Sequence, residues 1–215
     1  MDPYREIKKE STQKALSLYP YLKSRVEKSS DRLLTAIRIA GAGNIIDFGA
    51  YGNFDLSREV DEVLEKVFVV FEYDKFKHGL DKAWEILYIG DNAGECVFDR
   101  ILIEEIKKPV AYVVRDAPII NDATYEDAVQ AGIDGVATII SSGTAAPGTI
   151  LKTCSVEFKE LYHNSNFIIS KGQGNFEALS NEMGPIFFLL KVKCKIIADD
   201  FGVDEGDIVL KTHGN

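Results

Sequence analysis

Ile86-Leu87-Tyr88-Ile89, followed by Gly90-Asp91-Asn92-Ala93-Gly94-Glu95, is the stretch on which the fold turns. The apolar run has the length and composition of a buried strand. Cys96 to Ile103 beyond it carries apolar residues at helical spacing. An acid, an amide and a glycine therefore stand between a strand and a helix. In open α/β sheets, ligands sit outside the carboxyl ends of the strands. Asp91 and Asn92 are thus candidate hard-oxygen ligands for Mg²⁺, Mn²⁺ or Ca²⁺. Glu95 falls in the first turn of the helix, where an acid suits the helix dipole, and it also borders the site.

The same rhythm extends outward from this stretch. Strands are expected at 85–89, 110–115, 136–140, 166–169, 186–192 and 207–211, and helices near 94–107, 124–131, 155–162, 175–182 and 193–201. Such alternation defines an α/β fold with a doubly wound, mostly parallel sheet and helices on both faces. Before Trp84 the pattern is helical. Asp2-Pro3 fits the start of a helix over Tyr4 to Leu18, and Asp31 fits the cap of a run ending at Gly41-Ala42-Gly43-Asn44. A glycine-rich loop at Asp47 to Asn53 follows, with Ser57 and Asp74 as caps of two more helices. The division expected is a helical subdomain over 1–83 and an α/β domain over 84–215.

Bulk properties narrow the function. The 215 residues are 46% hydrophobic and 27% charged, an ordinary globular composition. A net charge of −9 argues against nucleic acid, whose backbone needs a clustered basic face. It leaves room for a small anion held by local lysines and backbone N–H groups. Cys96, Cys154 and Cys194 are widely spaced, which does not make a zinc ribbon, and each reads as a free thiol. His78, His163 and His213 lack ligand spacing. With no leader and no apolar run of spanning length, the expected setting is cytoplasmic, away from membranes.

Three further strand-end loops carry polar residues suited to chemistry. Arg115-Asp116-Ala117-Pro118 runs on to Asn121-Asp122-Ala123-Thr124. Asp122 either caps the next helix or joins Asp91 and Asn92 as a third oxygen ligand. Ser142-Gly143 and Ala146-Pro147-Gly148-Thr149 form a loop of small residues and hydroxyls that lets backbone approach a phosphate or sugar. Lys171-Gly172-Gln173-Gly174-Asn175-Phe176-Glu177 sets a lysine and two glycines at a strand-to-helix turn, an arrangement suited to an oxyanion. It lacks the glycine and lysine order of a P-loop. Lys191, Lys193 and Lys195 alternate after the next strand, so they share a face.

Taken in order, these four loops resemble the metal-dependent damage-control phosphatases, the family once called "domain of unknown function 89". The Lys171-Gly172-Gln173-Gly174-Asn175-Phe176-Glu177 motif resembles the branch common in archaea and some bacteria. Asp2 to Lys8 and Gly43 to Gly49 extend the match over nearly the whole chain. Relatives in that branch carry a further helical segment with a Cys-x-x-Cys pair before the point where this sequence starts. The expectation is therefore a helical part lacking that segment, with every motif residue kept.

The resemblance implies a Rossmann-like sheet with a helical subdomain. It implies one divalent ion (Mn²⁺, Mg²⁺, Co²⁺ or Ni²⁺) held by Asp91, Asn92 and Asp122, and hydrolysis of phosphate monoesters of small metabolites. Lys171 and Lys193 would hold the phosphate with the N–H groups of Gly172 to Gly174. Asn175 and the Ser142 to Thr149 loop, including Gly143, would contact the sugar or leaving group. Asp116 or Glu95 would take the proton of an attacking water, or Asp91 would itself attack through a phospho-aspartate. The alternative is a metal- or phospho-ligand-binding protein without turnover. A nucleotide enzyme lacks its Gly-x-Gly-x-x-Gly here, and a protein scaffold would need a large exposed apolar patch. An oligomer is compatible with all of these.

Overall fold

The computed structural model describes residues 2–43, 61 and 68–212. Two helices open the chain, α1 over Arg5–Lys28 and α2 over Arg32–Ala42. Strand β1 (Val70–Phe71) and helix α3 (Tyr73–Lys82) lead into the alternating part. There β2 (Ile86–Ile89), α4 (Cys96–Ile106), β3 (Val110–Val114), α5 (Tyr125–Gln130) and β4 (Thr138–Ser141) follow one another. Helix α6 (Val156–Asn164), β5 (Ile168–Lys171), α7 (Gln173–Leu179), β6 (Ile186–Lys191), α8 (Lys195–Phe201) and β7 (Ile208–Thr212) complete it.

All these strands join one sheet in the order β1-β7-β6-β5-β2-β3-β4. Strands β2 to β6 are parallel, whereas β7 runs antiparallel to β6 and β1 parallel to β7. The doubly wound sheet expected from the sequence is therefore present, with an antiparallel edge and a short strand, β1, at the end of the apolar run Val67 to Phe71, which the strands expected above did not include.

Both faces are buried, and the period of two divides the strands between two cores. Ile86, Tyr88, Tyr112, Ile169 and Leu189 face one core, built with α1 to α5. Leu87, Ile89, Val113, Ile168 and Phe188 face the other, built with α6 to α8. Continuous burial along β2 and β3 is why their sequences show unbroken apolar runs, and β5 is as deeply buried although it ends in Ser170 and Lys171. Ala15, Leu22, Ala36 and Ile37 of the N-terminal helices belong to the same core cluster as Tyr88 and Phe98. Helices α1, α2 and α3 thus share their interior with the sheet.

Several helix ends differ from expectation. Asp31 caps α2 as expected, accepting from the Leu34 N–H at 3.0 Å. Helix α1 runs on past Leu18 and through Pro20 to Lys28. Asp2 accepts from the Tyr4 N–H at 2.8 Å just before α1 begins. Asp74 lies in the first turn of α3, with Glu72 at the N-cap position. The 47–53 loop and Ser57 lie outside the described residues.

Candidate active site

Strand order locates the site. From β2 the chain moves outward through β3 to β4, then returns to place β5 on the other side of β2. Helix α4 leaves β2 toward one core and α7 leaves β5 toward the other. Neighbouring strands whose connections part in this way open a crevice at their carboxyl ends. The loops bordering it are 90–95 and 171–175, two of the four singled out above.

Gly172 makes their close approach feasible. Its φ is +77°, a conformation suited to glycine. A Cβ there would lie 1.9 Å from Oδ2 of Asp91. The Asp91 carboxylate therefore rests directly on the backbone of the β5 loop. The Gly172 N–H is already used, donating to the Leu189 carbonyl at 3.2 Å. That corrects its expected role as an oxyanion donor: the residue supplies space.

The third loop joins through backbone. Asn92 and Asp122 form an isolated antiparallel bridge. The Ala93 N–H donates to Asn121 at 3.0 Å and the Ala123 N–H donates to Asp91 at 2.8 Å. Asp91, Asn92 and Asp122 are thereby brought together across loops far apart in sequence. Asp122 does not cap the next helix. Thr124 does so, in a capping box with Asp127. The Asp122 side chain instead accepts from Arg115 Nε at 2.7 Å.

Asp91, half-buried, is pushed up to about 7 by its burial and by the charges of Glu95 and Asp122, against the opposing charges of Lys193 and Arg115. Lys193 is exposed in the loop after β6, and its N–H donates to Gln173 Oε1 at 2.7 Å. That bond ties the β6 loop to the β5 loop.

Lys171 has a different place from the one expected. It is 0% exposed, its ammonium 2.7 Å from Asp99 Oδ1 and 3.1 Å from Glu95 Oε2. Burial disfavours the charge, but these two carboxylates more than offset it and hold the ammonium well above the ordinary lysine range. Its charge serves the floor of the site and is not presented at the mouth. Glu95, also buried, uses its other oxygen to accept from Asn92 Nδ2 at 2.8 Å. Register explains the rest of the floor. Tyr88 and Tyr112 pair across β2 and β3, and both hydroxyls donate to Asp99, at 2.7 and 2.8 Å.

Arg115 is a hub that sequence reasoning quoted without assigning. It is 2% exposed. Besides Asp122, it donates to Thr149 Oγ1 at 2.8 Å and to Asn175 Oδ1 at 2.9 Å. Asn175, fully buried, also accepts from Thr149 and donates to the carbonyls of Gly90 and Lys171. Its amide has two donors and two acceptor positions, and all four are occupied. It therefore joins loops, and the expected sugar contact is corrected. Asp99 was missed as well. Its signal was the i, i+4 spacing from Glu95, which puts two acids on one helical face.

The remaining candidates divide by exposure. Ser142 is buried, its N–H donating to Val114 and its carbonyl accepting from Ser155. Gly143 and Gly174 are exposed, as is Asp116, which accepts from Ser141 Oγ at 2.8 Å. Cys96 and Cys154 are buried, Cys194 is half-buried, and all three are free thiols. His78 and His163 are exposed and His213 lies outside the described residues. Among the described residues no helix is long and apolar enough to cross a membrane.

The donor set suits a hard divalent ion. Two aspartates and an amide oxygen offer hard ligands, and crowding by like charge at Asp91 is relieved by a cation. Among the described residues, no three His, Cys, Asp or Glu side chains form a ready cage. Two aspartates and one amide would leave positions for water and substrate on such an ion.

Sheet order, crevice and acid–amide pair define a doubly wound α/β protein with a polar site at its switch point. The chain belongs to the damage-control phosphatase ARMT1-like domain family, whose model matches residues 1–209. It is 40% identical to an uncharacterized protein of Methanocaldococcus jannaschii, MJ0202, over 97% of this chain and 73% of that protein. To the damage-control phosphatase PH1575 of Pyrococcus horikoshii it is 38% identical, over 97% of this chain and 74% of that one. A damage-control phosphatase of Archaeoglobus fulgidus is 36% identical, over 98% of this chain and 75% of its own length. The crystal structure of a DUF89 family protein from Pyrococcus horikoshii superimposes with a TM-score of 0.91 at 37% identity, covering 99% of this chain and 76% of that one.

Proposed function

We propose that this protein is a divalent-metal-dependent phosphatase acting on phosphate monoesters of small metabolites. The observation that carries the reading is the Asn92–Asp122 bridge, which brings two aspartates and an amide to one crevice edge. Relatives named damage-control phosphatases support the reaction class. Asp91, Asn92 and Asp122 would hold the ion. A bound divalent cation supplies Lewis-acid polarisation of the phosphoryl group.

The chain's own residues supply the rest. Lys193, exposed beside Asp91, offers a point charge to a phosphate oxygen. Arg115 holds Asp122 so that its carboxylate keeps one orientation. Asp116 is the exposed carboxylate of the same loop and is assigned the proton of the attacking water. Water adds to phosphorus, the ester P–O bond breaks, and the leaving oxygen takes up a proton.

The test is hydrolysis of p-nitrophenyl phosphate and a panel of sugar phosphates with Mn²⁺, Co²⁺, Ni²⁺ or Mg²⁺. Metal-dependent phosphate release that is lost in Asp91→Ala is expected. Absence of release with every metal would favour a binding protein without turnover.

A further inference from the structure

Glu95 has the position of a base and the surroundings of a support. It is buried, one oxygen accepts from the Lys171 ammonium and the other accepts from the Asn92 amide nitrogen. Lys171 is held from its far side by Asp99, and Asp99 by the hydroxyls of Tyr88 and Tyr112. A chain of buried polar contacts thus runs from two core strands to the edge of the crevice and ends on Asn92.

The chemistry at that end is directional. An amide presents NH₂ on one side and a carbonyl oxygen on the other, and only the oxygen can bind a cation. The two ends are nearly the same size, so packing alone does not choose between them. Asn92 Nδ2 lies 2.8 Å from Glu95 and 3.3 Å from Asp91 Oδ2. A carboxylate ion-paired with Lys171 can only accept, so it selects the NH₂ end.

We propose that Glu95 is a positioning residue. Anchored by Lys171 and Asp99, it fixes the Asn92 amide in the orientation that leaves Oδ1 for the divalent ion. The claim rests on the metal reading above. Metal-supporting hydrogen bonds of this kind change affinity by about ten- to a hundredfold when removed.

Two measurements on the full chain decide it. The first is calorimetric titration of metal-free protein with Mn²⁺. Glu95→Gln, whose amide can donate as well as accept, should weaken Mn²⁺ binding about tenfold or more. In an Asn92→Asp background there is no amide to orient, so adding Glu95→Gln should weaken binding no further. Equal weakening in both backgrounds would mean that Glu95 acts through its charge alone, and would overturn the proposal. So would unchanged affinity in the single variant. A wild type that binds no Mn²⁺ would sink the metal reading itself, a separate result.

The second measurement needs neither variant nor metal. In ¹⁵N-asparagine-labelled wild type, the Asn92 carboxamide protons should exchange with water much more slowly than those of exposed Asn121 and Asn164. Exchange as fast as at those two positions would overturn the proposal even if Glu95→Gln fails to fold.

Discussion

At the scale of single residues, close approach and charge crowding make the sharpest predictions. Ala at position 172 would place a methyl 1.9 Å from Asp91 Oδ2, at a backbone φ of +77°. Gly172→Ala should lower metal-dependent hydrolysis on the order of a hundredfold, since a shift of about 1 Å in a site costs that much. Gly202 also has positive φ, at +68°, but a Cβ there meets nothing within 4 Å. Gly202→Ala should therefore cost about 1 kcal/mol in urea unfolding and leave hydrolysis unchanged. Asp91 predicts a pH effect. Its carboxyl is raised to about 7, so the native state keeps a proton that the unfolded chain releases. Stability from this group falls as pH rises through about 4 to 7. In metal-free protein Asp91→Asn should be the more stable form at pH 8, by on the order of 1 kcal/mol, and the gap should close toward pH 5. Melting curves of the two proteins at both pH values check this. Arg115 joins three loops from a buried position. Arg115→Ala should destabilise by about 3–5 kcal/mol in urea unfolding, because it leaves the Asp122 charge without its partner.

At the scale of elements, helix ends position the loops. Thr124 and Asp127 form the capping box of α5, and Asp127 also accepts from Lys8 of α1 at 2.6 Å. Lys8 is 2% exposed and is also 2.7 Å from Asp2. One carboxylate thus holds a helix start, the end of the 115–124 loop and a buried ammonium. Asp127→Ala should cost clearly more than the ~1 kcal/mol of a lost cap, read as a lowered urea midpoint. Much of the element pattern was legible in the sequence. Apolar runs at 86–89, 110–114 and 186–190 announced strands because burial on both faces leaves no polar alternation. β1 was passed over although it closes the apolar run Val67 to Phe71, because that run stands inside a stretch of helical pattern and the strand's pairing partner lies 139 positions later, Val70 against Val209. The cap of α5 was left open between two roles for Asp122. Asp122 and Thr124 are both residue types that suit an N-cap; the capping box with Asp127 selects Thr124, while Arg115 engages the Asp122 side chain.

At the scale of the whole molecule, one core cluster joins the N-terminal helices to the sheet. Residues 84–212 should therefore not fold alone, because removing α1, α2, β1 and α3 exposes the face that carries Tyr88 and Phe98. Circular dichroism of that fragment would show this. The sequence by itself determined the doubly wound α/β class and the set of loops that would converge. Strand-end polar residues stand out against apolar runs, and parallel strands with helical crossovers send those loops to one edge. It also pointed to Asp91 and Asn92. Only the tertiary structure decided what each side chain does there. Lys171, Asn175 and Glu95 have the residue types of ligand contacts, yet neighbours from distant strands and helices engage them in the floor. A polar side chain's role depends on which partners reach it first, and those partners are set by packing across the sheet.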